Sequence, residues 1–257
     1  MTISVSLESD GPLGRITFSK PPHNFACPEL LRQIADAVYK VDSDPQLYCI
    51  LLQSEGRSFC AGADLAGDES MAGAGGMATI AQLYTQAERL FRRRKPMVAA
   101  IQGAAVGAGL GLALAADFRI GDKGSRLSAN FTRLGFHPGF ALTYTLPRLI
   151  GMQRASWMMM SSDRVKPEDA LAWGLLDRVV EEGALAEGAR AMALEIASNA
   201  PLALLAVRRT LTDGLDKAVA AAMRREHAEQ AALRATDDYA EGVASVFERR
   251  PANFTGA

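Results

Sequence analysis

Apolar residues at the start of this chain recur every second position, then at helical spacing, and the two periods go on alternating for most of its length. Ile3–Leu7 and Leu13–Phe18 alternate apolar and polar residues on either side of the turn Asp10-Gly11-Pro12. That period predicts an antiparallel hairpin. Pro28 suits the first position of a helix, and Leu30, Leu31, Ile34, Ala37, Val38 and Val41 follow at helical spacing. Leu47–Leu52 and Met97–Ile101 are apolar runs of strand length. Between them, Thr79–Arg93 reads as a helix with Ile80, Leu83, Tyr84, Ala87, Leu90 and Phe91 on one face. Leu112–Ala116 is a helix-like run that Asp117 ends. Phe118–Gly121 reads as a strand, Ser125–Ala129 as a short extended piece and Asn130–Phe140 as a loop. Leu142–Leu149, Arg154–Met160 and Lys166–Leu171 read as helices. Trp173-Gly174-Leu175 then turns the chain into an extended Asp177–Val180. Only helices remain: Ala184–Ser198, Pro201–Leu211, Leu215–Leu233 and Asp238–Phe247. The expectation is an α/β core over residues 1–195, followed by an all-helical C-terminal region over 196–257.

Composition narrows the function classes. A net charge of -1 supplies no field to recruit nucleic acid or an anionic membrane. No uninterrupted apolar run reaches the length of a bilayer span. The first residues, MTISVSLESDG, lack the basic-then-apolar order of a secretion signal. Cys27, Cys49 and Cys60 are odd in number and have no CxxC spacing, which fits a reduced cytoplasmic setting. His23, His137 and His227 lie far apart and carry no metal-ligand spacing.

Candidate chemistry concentrates in two stretches of small residues. In Lys95–Arg119 (KPMVAAIQGAAVGAGLGLALAADFR) a short strand turns at Gln102-Gly103 and runs into Gly107, Ala108, Gly109 and Gly111. Small residues let a backbone approach a ligand closely. The first turn of a helix offers unpaired N–H groups to an anion or a developing oxyanion. The same residues also suit tight packing of a helix on a sheet. The glycine spacing does not match the dinucleotide fingerprint. The second stretch is Ser54–Leu65 (SEGRSFCAGADL), where Asp64 is placed to cap a following helix. Ala66–Met77 is rich in Gly, Ala, Asp and Glu and reads as a mobile flap, with Asp68 and Glu69 solvated. Arg92-Arg93-Arg94-Lys95 reads mostly as a solvated helix end.

Several blocks in one order resemble the crotonase superfamily, the enoyl-CoA hydratase/isomerase fold. They are Arg57–Leu65, Lys95–Asp117, Leu134–Gly139, Asp163–Val180 (DRVKPEDALAWGLLDRVV) and Glu248–Phe254 (ERRPANF). The resemblance implies a spiral of ββα units, a C-terminal helical region used in trimerisation, and an acyl-CoA substrate with no further cofactor. The implied assembly is a homotrimer or a dimer of trimers. The family's oxyanion hole maps to the backbone N–H groups of Ala63 and Ala108. Its CoA contacts map to Ala61, Ala63, Asp64, Leu65 and Ala66, and a basic residue that reaches a neighbour's CoA phosphates maps to Arg249.

The departures from the family pattern are as informative. The two hydratase glutamates fall at Gly111 and Phe131, and a third carboxylate position falls at Gly139. None of the three can move a proton. His137, two residues before the third position, is the candidate replacement; Tyr144, Arg133 and a Cys60 nucleophile are weaker ones. Met71, Met77, Phe131, Phe136 and Phe140 are candidate walls for an apolar acyl group. Two functions are therefore expected as alternatives: an enzyme acting on an acyl-CoA through an enolate or a tetrahedral oxyanion, or a family member that keeps acyl-CoA binding or trimer assembly without catalysis.

Overall fold

The N-terminal period of two folds into β1 (Ser4–Asp10) and β2 (Leu13–Ser19), paired antiparallel with Ser4 opposite Ser19 and Asp10 opposite Leu13. The computed structural model describes residues 2–65, 71–73 and 75–257. Ala66, Asp68 and Glu69, and with them half of the expected flap, lie outside the described residues. Parallel strands extend the sheet: β3 (Cys49–Ser54), β4 (Met97–Ile101), β6 (Phe118–Asp122) and β8 (Arg178–Val180), in the order β1-β2-β3-β4-β6-β8. Parallel strands buried on both faces read as continuous apolar runs, which is why β3 and β4 show no alternation.

Helices cover both faces. Cys49 and Leu51 of β3 meet α7 (Leu185–Ala197) through Ala189, Met192 and Ala193. Ile50 and Leu52 point the other way, into the larger core shared with α1 (Pro28–Ser43) and α2 (Gly76–Phe91). Alternate residues of one strand thus serve two different layers.

Two elements differ from the sequence reading. The stretch after Gly103 forms β5 (Ala104–Val106), which pairs in parallel with β7 (Arg126–Ser128) as a separate two-stranded sheet. The helix expected at Leu112–Ala116 begins earlier, as α3 (Ala108–Leu114). The run expected as a solvated helix end is half internal. Arg92 and Arg94 are exposed, but Lys95 Nζ donates to the Val41 and Asp44 carbonyls. Arg93 is buried and paired with Asp117 at 2.7 Å. Arg208 of α8 (Pro201–Leu211) completes the cluster, 3.1 Å from Asp117. A buried guanidinium needs such a partner.

The remaining elements are α4 (Leu142–Ile150), α5 (Met152–Ser161), α6 (Pro167–Trp173), α9 (Leu215–Leu233) and α10 (Asp237–Glu248), so the chain ends in helices as expected. Helix α9 packs on α2 and α4, and α10 on the 3₁₀ turn Thr132–Leu134. Those contacts bring the last helices to the end of the molecule where β5 meets α3.

Candidate functional site

Two backbone segments are stitched together at that end. Cys60 N–H donates to Ala104 O at 2.9 Å, and Val106 N–H returns to Cys60 O at 3.1 Å. A Cβ on Gly109 would lie 2.0 Å from Cys60 O, so glycine is what lets α3 approach the 60–64 loop. Gly107 turns the chain into α3 at φ +53°, a conformation that side chains resist. On its other edge the 60–64 loop pairs with Ala26, which donates to Gly62 O at 2.8 Å and accepts from Asp64 N–H at 3.3 Å.

This stitching leaves two main-chain donors over. Among the described residues, neither the Ala63 N–H nor the Ala108 N–H has a hydrogen-bond acceptor. Both residues line one cavity of about 250 Å³, together with Ala61, Asp64 and Leu65. Its other walls come from Ile80, Leu83 and Tyr84 of α2, from Asn130 and Phe131, from Gly139 and Phe140, and from Gln230, Tyr239 and Phe247 of the last two helices. The lining is mainly apolar, with five phenylalanines: Phe25, Phe131, Phe136, Phe140 and Phe247. Of the expected walls, Met71, Phe131, Phe136 and Phe140 are present and Met77 is not.

Bulk occupies the three positions where the resemblance leads one to expect carboxylates. A Cβ on Gly111 would lie 2.5 Å from Phe140 Cγ, so the Phe140 ring stands over it. Phe131 is itself a wall residue. A Cβ on Gly139 would lie 2.0 Å from Tyr84 Oη and 2.6 Å from Gln230 Nε2. Phe140 and Ala141 hold this arrangement in left-handed conformations, φ +61° and +58°. Such strain persists only where the surroundings enforce it. Here the buried Glu226 carboxylate accepts from the N–H groups of Ala141 and Thr143, at 2.7 and 2.9 Å. Burial raises the Glu226 pKa, against those donors and the charge of His137.

Tyr84, Gln230 and Asp64 of the wall are committed to partners. Tyr84 O–H donates to Gln230 Oε1 at 3.0 Å, and Gln230 Nε2 donates to His137 O at 2.9 Å. Burial pushes the Tyr84 phenol well above its ordinary range, so it stays neutral. Asp64 accepts from Lys20 Nζ at 2.7 Å. Burial opposes the charge on Lys20, but the hydrogen bond and charge of Asp64 outweigh it and hold the ammonium above its usual pKa. The next described helix after Asp64 begins at Gly76, with Gly75 at its cap, so Asp64 caps no described helix.

His137, the expected acid or base, does not line the cavity. Its carbonyl is drawn to Gln230, and its Nδ1 lies 2.7 Å from Pro138 O. Cys60 is buried, and burial pushes its thiol up to about 11, so it is no ready nucleophile. Arg133 and Tyr144 also lie outside the lining. Arg249 is exposed at the end of α10, away from the cavity wall. Ala66 lies outside the described residues. Phe25, Gln230, Tyr239 and Phe247 are wall residues that sequence reasoning passed over, as is Asn130, because a loop asparagine carries no spacing signal.

Comparison with known proteins agrees with this geometry. The model of the family "Enoyl-CoA hydratase/isomerase" matches residues 8–257. The (E)-benzylidenesuccinyl-CoA hydratase of Thauera aromatica is 32% identical over 259 residues, covering 98% of this chain and 99% of that one. The 1,2-epoxyphenylacetyl-CoA isomerase of Escherichia coli is 29% identical over 247 residues, covering 94% of each. A solved enoyl-CoA hydratase/isomerase from Pseudoalteromonas atlantica superposes with a TM-score of 0.86 at 27% identity, covering 98% of this chain and 100% of that one. With the match running almost end to end, this chain belongs to the enoyl-CoA hydratase/isomerase family.

Proposed function

We propose that the chain is an enzyme acting on a CoA thioester with a bulky apolar acyl group, an isomerase or lyase built on two backbone donors. The observation that carries this reading is the pair of unpartnered N–H groups, Ala63 and Ala108, on one apolar cavity. A thioester that reacts at its α or β carbon gathers negative charge on the carbonyl oxygen. Two fixed N–H groups meet that charge without reorganising, and one such donor is worth about 3–4 kcal/mol elsewhere. This chemistry needs no metal or redox cofactor. The ring-rich lining supports an aryl or branched acyl group, and the two relatives described above bear the names of aryl-containing thioesters. The CoA portion runs past Ala61, Asp64 and Leu65, with Arg249 serving a neighbouring subunit. The exposed apolar residues Trp157 and Met160 of α5, and Leu202 and Leu211 of α8, support assembly of a trimer.

With Gly111, Phe131 and Gly139 in the carboxylate positions, proton transfer runs through water or through the substrate's own groups. A second reading is favoured by the same filling: an acyl-CoA-binding member without turnover. A panel of aryl- and alkyl-acyl-CoA thioesters, incubated with the protein and read by mass and chromatographic retention, separates the two. Conversion of any thioester supports the enzyme. Measured binding with no conversion across the panel supports the second reading. Absence of binding overturns both.

A further inference from the structure

The Asn130 carboxamide is the polar group of the cavity wall that the account above leaves unused. Asn130 is half-buried and lines the cavity with Ala63 and Ala108. Its Oδ1 lies 3.3 Å from the point that a Cβ on Gly107 would occupy, so the amide stands beside the residue that leads into the Ala108 N–H. Among the described residues no group hydrogen-bonds this carboxamide, and its polar atoms are not sealed from the cavity. Of the other polar side chains there, Tyr84 is spent on Gln230, Gln230 on the His137 carbonyl and Asp64 on Lys20, while the Tyr239 hydroxyl accepts from Arg234 at 3.4 Å. With no protein partner to fix it, either end of the amide can face a ligand.

We propose that Asn130 is a further substrate-contacting residue: its Nδ2 group donates to the thioester carbonyl oxygen as a third donor beside the Ala108 N–H. This rests on the thioester reading of the cavity. The carbonyl oxygen only accepts hydrogen bonds, so the amide presents its N–H₂ end. The bond strengthens as charge grows on that oxygen. A third donor also helps to offset the missing carboxylates, because it lowers the energy of the charged state that they would otherwise relieve.

The test is titration calorimetry with phenylacetyl-CoA and with S-(2-phenylethyl)-CoA, a thioether that lacks the carbonyl oxygen. Wild-type protein is expected to prefer the thioester. Asn130→Ala should weaken thioester binding about three- to tenfold, the size of one hydrogen bond, and leave thioether binding unchanged. Asn130→Asp, which keeps the shape but turns an acceptor toward the carbonyl, should weaken thioester binding further. Both variants keeping the wild-type preference would overturn the Asn130 role alone. Equal weakening of both ligands would also overturn it, by making Asn130 a packing residue. Wild-type protein that binds neither ligand, or both alike, would overturn the thioester reading together with this one.

Discussion

Phe140 stands over Gly111, with its Cγ 2.5 Å from where a Cβ on Gly111 would be. Position 111, where the sequence resemblance puts a glutamate, is therefore closed to any side chain. The two residues determine each other beneath the Phe140 wall of the cavity.

Gly111→Ala accordingly overpacks the core and is expected to cost about 1–3 kcal/mol of stability. In a Phe140→Ala background the ring is gone but the Cβ of residue 140 still stands 2.5 Å from the added methyl. The same change should therefore cost less there while remaining unfavourable. Denaturant unfolding of the four proteins in the cycle reads the difference. Equal effects in both backgrounds would contradict the contact.

His137→Ala is expected to leave acyl-CoA binding and any turnover close to wild type, because His137 does not line the cavity and its Nδ1 is held against Pro138 O. Steady-state kinetics on whichever thioester the panel converts, or calorimetry if none is converted, measures this. Loss of turnover with binding retained would restore His137 as the proton carrier.

Asp117→Asn removes the one carboxylate that Arg93 and Arg208 share. Breaking a buried pair typically costs about 3–5 kcal/mol. Burial alone would raise the Asp117 pKa, but the two guanidinium groups outweigh it and hold the pKa below the ordinary 3.8. A carboxyl group depressed in the folded state stabilises above its unfolded pKa and loses that contribution as pH falls through the folded value. The stability gap between wild type and Asp117→Asn should thus be constant near neutral pH and shrink below about 3.8. Urea titrations across that range measure the gap, and a gap that widens in acid would contradict the assignment.

Much of this was legible because it is local. The periodic runs at Leu13–Phe18, Pro28–Val41 and Thr79–Arg93 point to β2, α1 and α2, since burial of one face writes itself into the spacing. The glycine stretches marked the segments that carry the Ala63 and Ala108 donors. What escaped depends on partners distant in the chain. Arg93 reads as part of a solvated helix end, Asp117 as the stop of a helix-like run and Arg208 as nothing in particular, and only the fold unites them. Strand β5 is three small residues whose pairing with β7 no local pattern records. Phe140 and Gly111 lie in separate segments, and Asn130 gains meaning only from the cavity it faces.

The most direct test of the central claim is the carbonyl stretch of a ¹³C-labelled phenylacetyl-CoA bound to the protein, read by isotope-edited infrared difference spectroscopy. Two backbone donors on that oxygen should move the band to lower frequency than in free solution. Ala108→Pro should move it back toward the free value, because proline fits the first position of α3 but brings no N–H. A bound carbonyl with its solution frequency, or a lowered frequency that survives Ala108→Pro unchanged, would contradict the oxyanion hole proposed here.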